Sequence, residues 1–290
     1  MRTLVLVVVL SICGCADQGS SSQPLDGVVV VGVLPDQSPE GLRARFGELI
    51  EHLKAETGLE IVLMIPSDYD DMLNRFAAGR MHLGNFGAVT YLQAEQRSGA
   101  VPLVMRDVDL QFTSCYLIGS DEPRSSVAEF EGGRLAFGPE LSTSGHLMPR
   151  HFMNIDAINP ETFFSELRHA DAHDQTAEWV RDGVVDIGVA NCNIINAMFA
   201  DGRLSDSDVR VLETTPPFAN YVWAMQPSLD RALVISLRDA FLALDANIES
   251  HAEMLKALGA GGYLPASRDD LDDVRNAIES AGLLATEGAR

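Results

Sequence analysis

From residue 28 onward the chain alternates between short apolar runs and longer stretches whose apolar residues recur at helical spacing. Residues 28–34, "VVVVGVL", are apolar on both faces, as a buried parallel strand requires. Residues 39–57 carry Leu42, Phe46, Leu49, Ile50 and Leu53 along one face and stop before Gly58, which predicts a helix. A second strand over 60–65 completes a βαβ unit. A helix over 69–78 follows, and then "GRMHLGNFGAVTYLQAEQRSG" reads as strand, tight turn and helix. "AVPLVMR" and "FTSCYLIG" are further strands.

The alternation restarts after Ser120-Asp121-Glu122-Pro123. It predicts a strand over 134–137, the segment "GPELSTSGHL", a helix, and a polar helix over 174–182. A strand over 184–190 and a helix from about Asn193 come next. "VRVLETT" and "YVWAM" are strands, and the chain from Asp230 on is mostly helical. Short strands alternating with helices indicate an α/β protein with mostly parallel sheets flanked by helices. The two arrays part near 113–115 and rejoin near 217–221. This fits two lobes with two crossovers: 27–114 plus 219–290 as the first, 115–218 as the second. Ligands in such folds sit at the carboxyl ends of strands, where helix N-termini point.

The N-terminus departs from this pattern. Arg2 precedes "TLVLVVVLSIC", which is too short to span a bilayer. Ile12-Cys13-Gly14-Cys15 resembles a bacterial lipobox, with Cys15 as the lipidated residue because Gly14 supplies the small residue before it. Residues 1–15 then form a signal peptide and 16–26 a polar tether; the alternative is an ordinary cleaved leader. Lipid anchoring at a bacterial membrane, facing the periplasm or the outer surface, is the expected location. Processing leaves Cys115 and Cys192, which either pair or remain core thiols; the sequence leans to free thiols. The formal net charge of −21 argues against nucleic acid and anionic membrane surfaces as partners. An anionic ligand must therefore be held by local donors.

Three strands end in small polar residues just before a helix: "GNFGAVTY", "GPELSTSGHL" and "ANCNIINA". Each offers backbone N–H groups at a helix N-terminus, which bind oxyanions without a basic residue. Ser142, Thr143 and Ser144 add three hydroxyls. One of them would suffice for a helix cap, which is the plain alternative.

These segments, in this order, resemble the phosphonate/phosphite/phosphate-binding proteins of bacterial ABC importers, which have the type II periplasmic-binding fold. The likeness runs from about Val28 to about Leu264. The Ser142–Pro149 stretch resembles the family's oxyanion-binding motif, and "PSDYDDMLNRFAAGRMHLGNFG" resembles the segment that contributes a cleft tyrosine and an aromatic-glycine turn. "HADAHDQTAEWVRDGVVDIGVAN" resembles the segment with a ligand-contacting histidine, and "PPFANYVWAM" the return crossover. The resemblance implies ligand contacts from Tyr69, Phe86, Gly87, Ser142, Thr143, Ser144, His173 and Asn193. Read without it, His173 is a surface histidine and Tyr69 a core-closing aromatic. A ligand-contacting His173 would make affinity pH-dependent. His146 faces either the cleft or solvent.

Relatives that bind aminophosphonates carry acids after the "VD(I/V)" strand, whereas Ala190-Asn191-Cys192-Asn193 has none. Phosphite, phosphate or a short alkylphosphonate is the expected ligand. The resemblance implies a monomeric receptor that closes by hinge bending and is read by importer membrane subunits, with no cofactor or metal and no catalysis. A signalling lipoprotein of the same fold is the alternative. A serine hydrolase is least favoured, because the sequence has no G-x-S-x-G, S-x-x-K or metal-ligand cluster.

Overall fold

The structure is a computed structural model and describes residues 27–280. The leader, Cys15 and the tether lie outside the described residues.

The first strand, β1 (Val28–Val33), leads into α1 (Pro39–Thr57), which Ser38 caps and Gly58 ends in the left-handed conformation. There follow β2 (Glu60–Met64), α2 (Tyr69–Ala77), β3 (Leu83–Phe86), α3 (Ala88–Ser98) and β4 (Val101–Arg106). A crossing segment then leads to β5 (Ser114–Gly119), β6 (Arg134–Phe137), α4 (Met148–Ile155), α5 (Pro160–Phe163) and β7 (Glu166–His169). Next come α6 (His173–Arg181), β8 (Ile187–Asn191), α7 (Cys192–Ala200) and β9 (Val209–Thr214). The chain returns through β10 (Val222–Met225), α8 (Arg231–Leu242), α9 (Glu249–Leu258), β11 (Tyr263–Pro265) and α10 (Asp272–Ser280).

Two sheets result, ordered β11-β4-β10-β3-β1-β2 and β7-β6-β8-β5-β9. The expected βαβ unit is present, with β1 parallel to β2, and further parallel pairs join β1 to β3 and β6 to β7 and β8. The sheets are nonetheless mixed, because each crossover delivers a reversed strand into a sheet's interior. β10 lies antiparallel between β3 and β4, and β5 antiparallel between β8 and β9. Each sheet carries an apolar layer on both faces. That burial on two sides is why the strands read as continuous apolar runs.

Two edge strands have no strong signal in the sequence. β7 contains one apolar residue, Leu167, and β11 ends in Pro265, which is tolerated only at a sheet edge. At the junction of the lobes, Phe112 and Phe218 exchange two backbone hydrogen bonds of 2.9 Å. Arg106 and Asp109 form a buried ion pair beside them, at 2.5 Å. Cys115 and Cys192 are joined as a disulfide between β5 and the first residue of α7, which corrects the expectation of free thiols. Neighbouring strand and helix end bring the two Cα atoms within 5.0 Å, inside the range a disulfide spans.

Candidate functional site: a polar junction between the lobes

The Ser142–Pro149 stretch builds the second lobe's side of the junction. Ser142 accepts a hydrogen bond from the Gly145 N–H through its Oγ, so it is indeed a cap. The turn it caps is wide: the Leu147 N–H reaches back five residues to the Ser142 carbonyl, a π-helical turn over Thr143–Leu147 that runs into α4. Gly145 is required there by close approach. A Cβ at that position would lie 2.8 Å from His173 Cε1 and 3.0 Å from Gly138 Cα.

Two hydroxyls remain for other purposes. Thr143 Oγ1 accepts from the Val89 N–H at the start of α3, 3.0 Å away in the other lobe. Gly87 permits this contact, since a Cβ there would sit 3.1 Å from Thr143 Oγ1. Ser144 is wholly buried, and its Oγ has no hydrogen-bond partner among the described residues. A buried hydroxyl left without a partner is costly and uncommon in native proteins.

His173 is the first residue of α6 and is fully buried, not on the surface. Its Nδ1 accepts from the Asn191 N–H at 3.2 Å, so the ring proton resides on Nε2. Nε2 faces Ser142 Oγ at 3.4 Å. Burial pushes the His173 pKa down to about 4, so the ring is a neutral donor at physiological pH and not a cation. Tyr69, at the start of α2, is also buried; burial raises its hydroxyl pKa, the Asp36 carboxylate adds to the rise, and a hydrogen bond with Ser142 opposes it.

The sequence reading missed Asp36. It follows β1, is 3 % exposed, and accepts from the Tyr221 hydroxyl through Oδ2 at 2.7 Å. Tyr221 in turn accepts from Asn191 Nδ2 at 3.1 Å, a chain of bonds from one lobe to the other. The Asp36 carbonyl accepts from the His173 N–H at 3.0 Å, and the Ser38 N–H donates to Asp174 at 3.0 Å. Asn220, also missed, accepts from the Ala88 N–H at 3.1 Å through its side-chain oxygen. The signal for Asp36 and Asn191 was positional only, one polar residue at the end of a buried strand.

Other expected residues lie elsewhere. Phe86 is buried in the first lobe, its ring edge-on to Phe76 and folded over Gly84 of its own strand. Asn193 is only half-buried and lines a recess of about 510 Å³ with Gln37, Ser38 and Arg45, while Asn191 takes the buried position. His146 faces neither cleft nor solvent. It packs on Phe137 and His169, and Arg150 donates to its Nε2 at 2.9 Å. Burial lowers its pKa to about 3.

Two buried neutral histidines fix a direction for stability. Between their folded values, about 3 and about 4, and the ordinary 6.5, the unfolded chain binds protons that the folded chain does not. Their effect therefore destabilises the fold as pH falls through that window and vanishes above it. The stability advantage of wild type over His146→Gln should shrink from about pH 7.5 to about pH 5. Urea midpoints at the two pH values measure it, and a constant difference contradicts it.

Two α/β lobes joined by two crossing segments, with a polar cluster between them at strand and helix ends, define a periplasmic-binding fold. The model of the phosphonate periplasmic substrate-binding proteins of ABC transporters matches residues 31–271, and the chain belongs to that family. These are solute-binding components of transporters and not enzymes. A probable ABC transporter phosphite-binding protein, PhnD1, of Prochlorococcus marinus is 26% identical over 82% of this chain and 84% of its own length. The phosphate-import protein PhnD of Mycolicibacterium smegmatis is 24% identical over 96% of this chain and 94% of its own. The structure of the Prochlorococcus PhnD1 in complex with methylphosphonate superimposes with a TM-score of 0.83 at 23% identity, covering 89% of this chain and 99% of that one.

Proposed function

We propose that this protein is a monomeric, lipid-anchored receptor, outside the cytoplasmic membrane, that holds a small phosphorus oxyanion between its lobes and delivers it to an ABC importer. The observation that carries the reading is the Ser142–Gly145 turn. It brings three buried hydroxyls together opposite the N-terminus of α3, and one of them, on Ser144, has no protein partner among the described residues. Hydroxyls and helix-start N–H groups are the donors an acidic protein can offer an oxyanion without a cation. The lipobox-like Ile12–Cys15 stretch supports the anchor. The phosphite, methylphosphonate and phosphate in the relatives' names support the ligand class.

Calorimetric titration with phosphite, phosphate, methylphosphonate and 2-aminoethylphosphonate tests the proposal. Binding of at least one of the first three, and weaker binding of the aminophosphonate, is expected. Binding to none overturns the ligand class. Thr143→Ala should weaken the bound oxyanion by more than about 1.4 kcal/mol, roughly tenfold, with Thr143→Ser close to wild type. Unchanged affinity in Thr143→Ala would leave Thr143 as a contact between lobes only.

A further inference from the structure

Asp36 sets an acceptor among donors. One carboxylate oxygen, Oδ2, is engaged by the Tyr221 hydroxyl, which Asn191 fixes from the other side. The other, Oδ1, is buried and has no partner among the described residues. Two neighbours of Asp36 also touch the hydroxyl turn: His173, whose backbone N–H donates to the Asp36 carbonyl, faces Ser142 Oγ, and Tyr69, near the Asp36 carboxylate, hydrogen-bonds with Ser142. A bare carboxylate beside an oxyanion is repulsive unless a proton lies between them.

Building on the oxyanion reading, we propose that Asp36 is the specificity-determining residue of the site. Its free oxygen accepts a hydrogen bond from a P–OH, so the receptor takes the singly protonated form of its ligand. The complex carries one proton shared between carboxylate and oxyanion. A fully ionised oxyanion, or a sulfonate, brings no such proton and leaves two buried negative oxygens in contact. A site built to bond a hydroxyl rejects the analogue lacking it far more strongly than a site that merely fits shape.

The charged and titratable groups facing Asp36 are Arg45 on α1, Tyr69 on α2, His173 on α6 and Tyr221 before β10, with Asp174 acting on His173 from the same helix. Burial raises both tyrosines well above their ordinary value and lowers His173 to about 4, so neither tyrosine nor His173 titrates between neutrality and mild alkali. Above the ligand's second ionisation, affinity should therefore fall about tenfold per pH unit, following the loss of the ligand's proton.

Methanesulfonate is the sharp control, since it matches singly protonated methylphosphonate in shape and charge and lacks only the proton. Calorimetry on wild type should show methylphosphonate bound at least about a hundredfold more tightly than methanesulfonate. Asp36→Asn should narrow that gap to under about tenfold and flatten the pH dependence. Equal wild-type binding of the two ligands, or a pH-independent wild-type affinity, overturns the role of Asp36 while leaving the oxyanion site standing. So does tightest binding of 2-aminoethylphosphonate that Asp36→Asn abolishes, which would make the carboxylate an ammonium partner. Failure of wild type to bind any phosphorus oxyanion overturns the underlying reading instead. The wild-type pH series needs no variant and holds even if Asp36→Asn folds poorly.

Discussion

Asp109→Ala should lower the stability of the fold by about 3–5 kcal/mol, the cost of leaving a buried cation without its partner. The Arg106 guanidinium donates to both Asp109 oxygens, at 2.9 and 2.5 Å, and to the Leu258 carbonyl at 2.6 Å. Burial by itself would lower the Arg106 pKa, but Asp109 more than reverses that, so truncating Asp109 strands a charge that cannot be neutralised. The location gives the loss a second consequence. The Asp109 carbonyl accepts from the Asn220 N–H at 2.9 Å, and the Arg106 guanidinium lies over the Tyr221 ring, so the pair ties one crossing segment to the other. Denaturant midpoints should fall sharply, with ligand affinity reduced in whatever protein still folds. A midpoint within about 1 kcal/mol of wild type would mean that water reaches Arg106 and replaces the carboxylate.

Removing the disulfide comes next in size. Cys115→Ala with Cys192→Ala should cost about 2–4 kcal/mol, because the bridge closes a loop of 77 residues in the unfolded chain. For a chain of this length that corresponds to a fall in Tm of roughly 5–15 °C. Scanning calorimetry of wild type with and without reductant should reproduce the shift seen in the double variant. Agreement between the two assigns it to the covalent link and not to lost packing. An identical Tm in all three samples would show the cysteines to be unlinked.

The elements that position the site were legible in the sequence where burial on both faces made them so. The apolar run of β1 and the Ser38-capped, Gly58-terminated α1 left clear marks, as did the turn before α3. β7 and β11 did not, because an edge strand needs few apolar residues and its pattern is weak. The same divide runs through the site. Ser142, Thr143 and Ser144 formed a visible cluster, since three adjacent hydroxyls exceed what a cap needs. Asp36, Asn191 and Asn220 are single polar residues whose neighbours in space are distant in sequence, and only folding brings them together. His173 shows the converse: its polar sequence context suggested solvent, yet Gly138, Gly145 and the α6 start enclose it. Its chemical state, a neutral Nε2–H donor, depends on the Asn191 N–H, which no local pattern reveals.

Among the described residues, the bonds that join the lobes include Val89 to Thr143, His173 to Asp36, Ser38 to Asp174, Asn191 to Tyr221 and Tyr69 to Ser142. At a net value of about 1 kcal/mol each, they already favour the joined arrangement before any solute contributes. A solute then has less conformational work to do, and its apparent affinity rises with the fraction of receptor already competent. In the proposed transport role, an importer that reads closure would face the opposite demand, since every receptor closed without cargo would compete for the same docking site. In that role, strengthening these contacts would thus make a better scavenger and a poorer messenger.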